Sequence, residues 1–368
     1  MRQADGKINN KFPGIKEIIQ KKYPNGKKDM QGRHPKVSVC IPTYNRATLL
    51  KQSIESVLGQ TFSNYELIVS DNASQDETSD IVRKFKDDRI TYIRGRKNIG
   101  LIKNFNNCLS MAKGDYITLF HDDDLMIEDN LDLKVRALDR DKNIGLVHSN
   151  FHIIDEKDDI REENAHFLGK EDFAEKGLFF LKKSLLGYNR VNAPSAMIRK
   201  ECFLRLGGFR STIQFTADFE YWMRIAMHYD VQYLGKALIK YRMSHNNQWT
   251  SAKYFTVKNG VISNNLTGLQ QEYMARIKIL EQTKNVLGDW KNIRILVRKG
   301  IIAAANRLIE SQYLKEGNNV MALRAIAQMC NKFPELFLDK DIIKIWLKSF
   351  LGLKITGAIK MAWSTEKN

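Results

Sequence analysis

Cysteine is scarce in this chain of 368 residues, and none of it is paired by motif. Cys40, Cys108, Cys202 and Cys330 are far apart and form no Cys-x-x-Cys. That spacing argues against a structural zinc site or a dithiol redox centre and for buried, reduced thiols in a cytosolic protein. Long apolar runs are missing as well. No stretch of about 18 apolar residues occurs, so no membrane span is expected. Residues 1–36 are polar and lysine-rich, without the apolar core of a secretory signal. No GxxxxGK[ST] loop and no GxGxxG after a strand is found, which leaves side chains and a metal, not a glycine cradle, to hold any phosphate. Acid is the scarcer charge: Asp+Glu 42 against Lys+Arg 59 gives +17. Such a balance favours nucleic acid, an anionic membrane surface or a phosphorylated substrate.

What is present is a regular alternation. Hydrophobic residues make up 43% and charged residues 27%, as in ordinary globular proteins. Residues 1–35 read as a polar extension with one short helix, GIKEIIQKKYP, ended before Pro24. From Lys36, strand patterns (KVSVCI, YELIVSD, RITYIRG, DYITLF, IGLVHSN) alternate with helical ones (ATLLKQSIESVLGQ, DETSDIVRKF, GLIKNFNNCLSMAKG, EDNLDLKVRALDRD). Gly114 stands where a helix C-cap is expected. The order predicts a Rossmann-like α/β fold, a mostly parallel sheet flanked by helices. Residues 155–176 read as a charged loop or lid. NAPSAMIRKECFLRLGGF and TADFEYWMRIAMHYD read as helical runs, and so does everything from about residue 256 onward. The predicted division is an extension over 1–35, a catalytic α/β domain over 36–255 and a helical C-terminal region over 256–368.

In open α/β sheets, ligands bind beyond the carboxyl ends of the strands. Asp71 ends one predicted strand, and Asp122, Asp123 and Asp124 follow another. Both should face one crevice, together with Pro42, Thr43, Tyr44, Asn45 and Arg46. Clustered carboxylates repel one another unless something neutralises them. Mg²⁺ or Mn²⁺ is held by such carboxylates together with substrate phosphates. The competing reading is a solvated acidic turn.

These residues carry a family resemblance. VSVCIPTYNRATLLKQSIESVLGQTFSNYELIVSDNASQDET resembles the opening of the family 2 glycosyltransferases, which have the GT-A fold. The resemblance continues through NIG at 98–100, DYITLFHDDD, GGF at 207–209, ADFEYWMRIA at 217–226 and YRMSH at 241–245, so it spans roughly residues 36–250. It implies an inverting enzyme that moves one sugar from a nucleoside-diphosphate sugar, uridine- or thymidine-linked, to a hydroxyl on a saccharide or lipid-linked saccharide. Asp71 stands where the family reads the base, and Thr43 and Tyr44 where it holds base and ribose. Pro42 and Arg46 belong to the same donor loop, and Asn98 and Gly100 match the nucleotide-side loop. Asp122, Asp123 and Asp124 carry the D-x-D, with Mn²⁺ or Mg²⁺ as the implied cofactor. Asp218 matches the general base, followed by Glu220, Trp222 and Arg224, and His245 matches a residue near the donor phosphates and metal. The chain departs from the pattern at Asn72, His121 and Ala217, where acids are common.

Processive members carry membrane spans and a Gln-x-x-Arg-Trp motif, and this sequence has neither. Single addition in bacterial surface polysaccharide synthesis is the expectation. Two other classes compete with this reading. A sugar-phosphate nucleotidyltransferase would show a glycine-rich loop where PTYNRAT stands. A non-catalytic nucleic-acid-binding module would gather Lys and Arg at the sheet's mouth instead of acids. At the C-terminus, Lys340, Lys344 and Lys348 recur along one helical face of DKDIIKIWLKSFLGLK, with Trp346 and Trp363 as aromatic anchors. Such a face suits the inner leaflet of the cell membrane. The alternative is that its apolar side packs on the catalytic domain or on a second subunit.

Overall fold

The computed structural model describes residues 34–243, 255–258, 261–264 and 266–309, with isolated helical positions at 323, 327, 343 and 347. The N-terminal extension, His245, Trp346 and Trp363 lie outside the described residues.

The first half follows the predicted alternation. It runs β1 (Val37–Thr43), α1 (Ala47–Leu58), β2 (Tyr65–Asp71), α2 (Thr78–Lys84), β3 (Ile90–Arg94), α3 (Leu101–Ser110), β4 (Tyr116–Leu119), the short β5 (Leu125–Met126), α4 (Asn130–Arg140) and β6 (Ile144–Ile154). Then come β7 (Ile160–Glu162), β8 (Phe173–Glu175), α5 (Gly177–Leu186), β9 (Met197–Arg199), α6 (Lys200–Leu206), α7 (Ala217–Ala226) and β10 (Asp230–Arg242). Beyond these lie a hairpin of β11 (Phe255–Lys258) and β12 (Val261–Asn264), then α8 (Leu266–Gln282) and α9 (Trp290–Ile309). No helix among the described residues is long and apolar enough to cross a membrane.

The main sheet runs β3-β2-β1-β4-β9-β6-β10-β5, with β7 paired to β6 and β8 to β10. β3, β2, β1 and β4 are parallel, and so are β6 and β10. β9 is antiparallel to both β4 and β6 and so joins two parallel blocks. Strand β1 lies between β2 and β4, so the chain leaves it in opposite directions, and a crevice opens beyond its carboxyl end.

Each face of the sheet buries its own core. Leu50, Ile54 and Val57 of α1 and Leu131, Val135 and Leu138 of α4 pack on one face with Val39, Ile41 and Val147. These residues recur at three- and four-residue spacing, which puts them on one side of each helix. On the other face, α3, α5, α7, α8 and α9 share a second core that includes Cys108, Phe180, Trp222, Tyr273 and Ile293. The first two helices beyond the hairpin are thus continuous with the core of the sheet.

Four expectations need correction. The run read as helical at 192–209 contains strand β9 before α6, and the stretch expected to be helical from 256 begins with the β11–β12 hairpin. The loop at 155–176 contributes β7 and β8 to the sheet. Gly114 caps no helix, because α3 ends at Ser110. It is glycine because a Cβ there would lie 2.6 Å from the Ser38 backbone nitrogen.

Candidate active site

Thr43 ends β1 in register with Asp71, which ends β2, and both are buried. The chain then turns through Asn45, at positive φ, and Arg46 into α1. No side chain of its own caps α1. Asp76 does so from the next loop, accepting the Ala47 N–H at 3.0 Å. Pro42 lies within β1 and is buried, and Tyr44 is half-buried.

Asp71 is held on both oxygens. One accepts the Ser74 N–H at 2.8 Å and the other the Tyr92 hydroxyl at 2.6 Å, with Arg94 Nε at 3.6 Å. Burial and the bond to Asp71 push the Tyr92 hydroxyl up to about 12, so it stays a donor. Each carboxylate oxygen has a second lone pair, which leaves Asp71 able to accept from a ligand. Asn98 and Gly100 reach the same end of the sheet through Asn72. The Asn72 amide donates to Asn98 Oδ1 at 2.9 Å, and its oxygen accepts the Ile99 N–H at 2.9 Å. Asn98 Oδ1 also accepts the Gly100 N–H at 2.8 Å, and Gly100 takes φ 83° at the start of α3, a value that favours glycine. Asn72, a departure from the family pattern, is thus the tie that places the 98–100 loop.

The acidic turn sits at the end of β4. Ser53 of α1 donates to the carbonyls of His121 (2.8 Å) and Asp124 (2.6 Å), pinning the turn from beneath. Arg242, the last residue of β10, completes the wiring. Its N–H meets Asp124 Oδ1 at 2.8 Å and its Nε meets the Asp123 carbonyl at 2.8 Å. Arg46 lies against Asp123 at 2.5 Å and Asp122 at 3.3 Å, all three side chains more than nine-tenths buried. Burial pushes Asp122 and Asp124 up to about 6, and the charge of Asp123 adds to both. Burial alone would lower His121. Asp124, 3.5 Å from its Nδ1, and the other two aspartates raise it instead.

His121, Asp123 and Asp124 offer ligand atoms that all lie within 4.8 Å of one another. Asp124 Oδ2 is buried and has no hydrogen-bond partner among the described residues. An orphaned carboxylate oxygen beside a second carboxylate and an imidazole is a donor set that fits Mn²⁺ or Mg²⁺. Of the candidate ligands within 121–124, His121, Asp123 and Asp124 fall in this set and Asp122 does not; its Oδ1 accepts from Arg46 at 3.3 Å.

Asp218 is the second residue of α7. Its carboxylate accepts from Asn189 Nδ2 at 2.9 Å, and burial raises its pKa. It lines a cleft of about 340 Å³ together with His121, Phe151, His166, Asn192 and Tyr241. The residues after it do structural work. Glu220 is fully buried between Arg224 (2.9 Å) and Arg210 (2.8 Å). Arg224 also donates to the carbonyls of Leu206 and Gly208, each at 2.7 Å, which fixes the Gly207-Gly208 turn. Trp222 is a core residue.

The 98–100 loop, the acidic turn and, in the adjoining cleft, the Asp218 carboxylate thus stand together at the carboxyl edge of this sheet. The sequence model "Glycosyl transferase family 2" matches residues 38–203. An uncharacterised glycosyltransferase of Methanocaldococcus jannaschii is 29% identical over 236 residues, 61% of this chain and 79% of that one. A GalNAc(5)-diNAcBac-PP-undecaprenol beta-1,3-glucosyltransferase of Campylobacter jejuni is 34% identical over 174 residues, 43% of this chain and 55% of that one. Among solved structures, TarS 1–349 of S. aureus in complex with UDP-GlcNAc superimposes with a TM-score of 0.59 at 15% identity, over 85% of this chain and 90% of that one. Residues 38–203 of this chain thus match the family 2 glycosyltransferase model, and the likeness to solved structures shows the GT-A fold.

Proposed function

We propose that this enzyme is an inverting, single-addition transferase that moves a sugar from a uridine- or thymidine-diphosphate sugar to a hydroxyl of a saccharide acceptor. The observation that carries the reading is that His121 of the acidic turn and Asp218 line one cleft. Nucleotide and acceptor can therefore meet with a base on one side of the sugar and the diphosphate on the other. Asp71 accepts the N3–H that uracil and thymine present, while Tyr92 and Ser74 hold its carboxylate in place. Asp218 takes the proton of the attacking hydroxyl, and Asn189 orients it. One displacement on the face opposite the leaving group inverts the anomeric carbon.

Asp123 and Asp124, with His121, would hold Mg²⁺ or Mn²⁺, which when bound supplies positive charge to the departing diphosphate. Arg46 and Arg242 keep the turn in shape for it. The Campylobacter relative acts on an undecaprenol-linked saccharide, which supports a lipid-linked acceptor, and with it surface polysaccharide synthesis at the inner leaflet.

A screen of nucleotide sugars for nucleoside diphosphate release tests the reading. Turnover is expected with a uridine- or thymidine-linked donor and Mg²⁺ or Mn²⁺, and it should stop with excess EDTA. Full activity in EDTA would remove the metal, and turnover only with a guanosine-linked donor would remove the role of Asp71.

A further inference from the structure

We propose that the cleft beside Asp218 is a pyranose-binding acceptor subsite, with Phe167 as the platform for the sugar's apolar face and Asn192 as a hydroxyl reader. This rests on the transferase reading and narrows its acceptor.

Two chain segments wall the cleft. Ala165, His166 and Phe167 come from the loop after β7, and Asn189 to Pro194 come from the loop after α5. His166 ties the two walls together. Its Nδ1 accepts the Leu168 N–H at 3.1 Å, so its proton sits on Nε2 and is donated to the Arg190 carbonyl at 3.1 Å. The ring is thereby fixed in one tautomer and one orientation.

Phe167 stacks on this immobilised imidazole, with ring centroids 4.9 Å apart and planes 26° from parallel. Yet 67% of its surface stays open to solvent. A phenyl ring pinned by a neighbour but left uncovered at the mouth of a polar cleft is a ready-made flat apolar surface. In the second segment, Asn192 lines the cleft, and its Oδ1 is buried with no hydrogen-bond partner among the described residues. A buried acceptor of this kind is costly until a donor reaches it. Asn189 spends one amide N–H on Asp218 and its oxygen on the Val191 N–H.

The cleft therefore offers a flat apolar face, an unsatisfied hydrogen-bond acceptor and a base. A pyranose presents the complement: a C–H face, hydroxyls at its rim and one hydroxyl to attack with. A simple lipid alcohol has no second hydroxyl for Asn192 and no flat face for Phe167. The volume of about 340 Å³ lies within the range of small-molecule sites.

The test is saturation-transfer NMR with methyl pyranosides (gluco, galacto, manno, rhamno and the N-acetylamino forms), run in the presence of uridine diphosphate and Mg²⁺. Calorimetry of uridine diphosphate is measured in parallel. At least one pyranoside should receive saturation on its C–H face. Phe167→Ala should weaken its binding about tenfold, Phe167→Trp should restore it, and Asn192→Ala should weaken it too. Nucleotide affinity should be unchanged in all three variants. If nucleotide binds but no pyranoside does, or if Phe167→Ala leaves pyranoside binding intact, the subsite is refuted while the transferase reading stands. If no nucleoside diphosphate binds at all, the transferase reading fails and this inference goes with it.

Discussion

Asp218, the proposed base, sits in an environment that suits that task. Burial raises its pKa, so its ionised form is a better proton acceptor than a solvated aspartate. Asp218→Asn keeps the size and removes the base. Turnover should fall about 10²–10⁴-fold with nucleotide affinity preserved, read by steady-state kinetics beside calorimetry. The acid limb of the rate profile should lie above the ordinary carboxylate range, because Asp218 must be ionised and its pKa is raised. Asp71 gives a different signature. Asp71→Ala should weaken uridine diphosphate binding more than it changes kcat, and Tyr92→Phe should do so to a smaller degree, since it removes one hydrogen bond to that carboxylate. Asp71 and the acidic turn could be placed from the sequence because they stand at strand ends, whereas Asp218, on α7, is picked out only through the family resemblance. Arg242, Ser53 and Asn72 could not. Their roles come from contacts across long sequence separations, such as Arg242 to Asp124, that no local pattern encodes.

Helix α4 carries a residue that works against the fold. Lys134 is fully buried, its Nζ has no hydrogen-bond partner among the described residues, and burial pulls its pKa down to about 7. Between that value and the ordinary 10.5, the unfolded chain holds a proton that the folded chain has lost. Stability should therefore rise with pH across this window, and the full cost is present below it. Lys134→Met should raise stability at pH 7 by on the order of 1 kcal/mol or more and flatten that rise, which denaturant titrations at several pH values would show. Among the elements, the parallel strands from β1 to β6 were legible because their apolar runs are bounded by clear helical patterns. Strand β10 was not. Its register with β6 shifts between Leu234 and Ala237 and again before Ile239, so the two-residue alternation is broken around Gly235 and Lys236. Strand β9 has three residues and runs straight into α6, too little to separate from a helical pattern.

At the scale of the whole molecule the excess of positive charge is not spent on the active site, whose turn is acidic. Ile343 and Leu347, one helical turn apart, are both substantially exposed, and each is followed in the sequence by a lysine. Sedimentation with vesicles checks the role of that segment. Binding to anionic and not neutral vesicles, lost at high salt and on deletion of residues 339–368, is the expected outcome of surface attachment. Equal recovery in the supernatant with both would assign the segment to protein packing instead.

Strand β10 has a consequence for how the protein is made. It pairs with β6 along nearly its whole length, closes onto β5 and brings Arg242 to the acidic turn. During synthesis β6 leaves the ribosome well before β10 does. At about 5–20 residues per second, the intervening chain takes roughly 4–18 s to appear. For that interval the nascent sheet has an open apolar edge, the setting in which strands pair with the wrong neighbour. A chain stalled or cleaved at residue 203, where the family match ends, would keep the aspartates but lack both β10 and Asp218. It should be captured by chaperones that recognise exposed strands, and it should neither bind nucleotide tightly nor turn over.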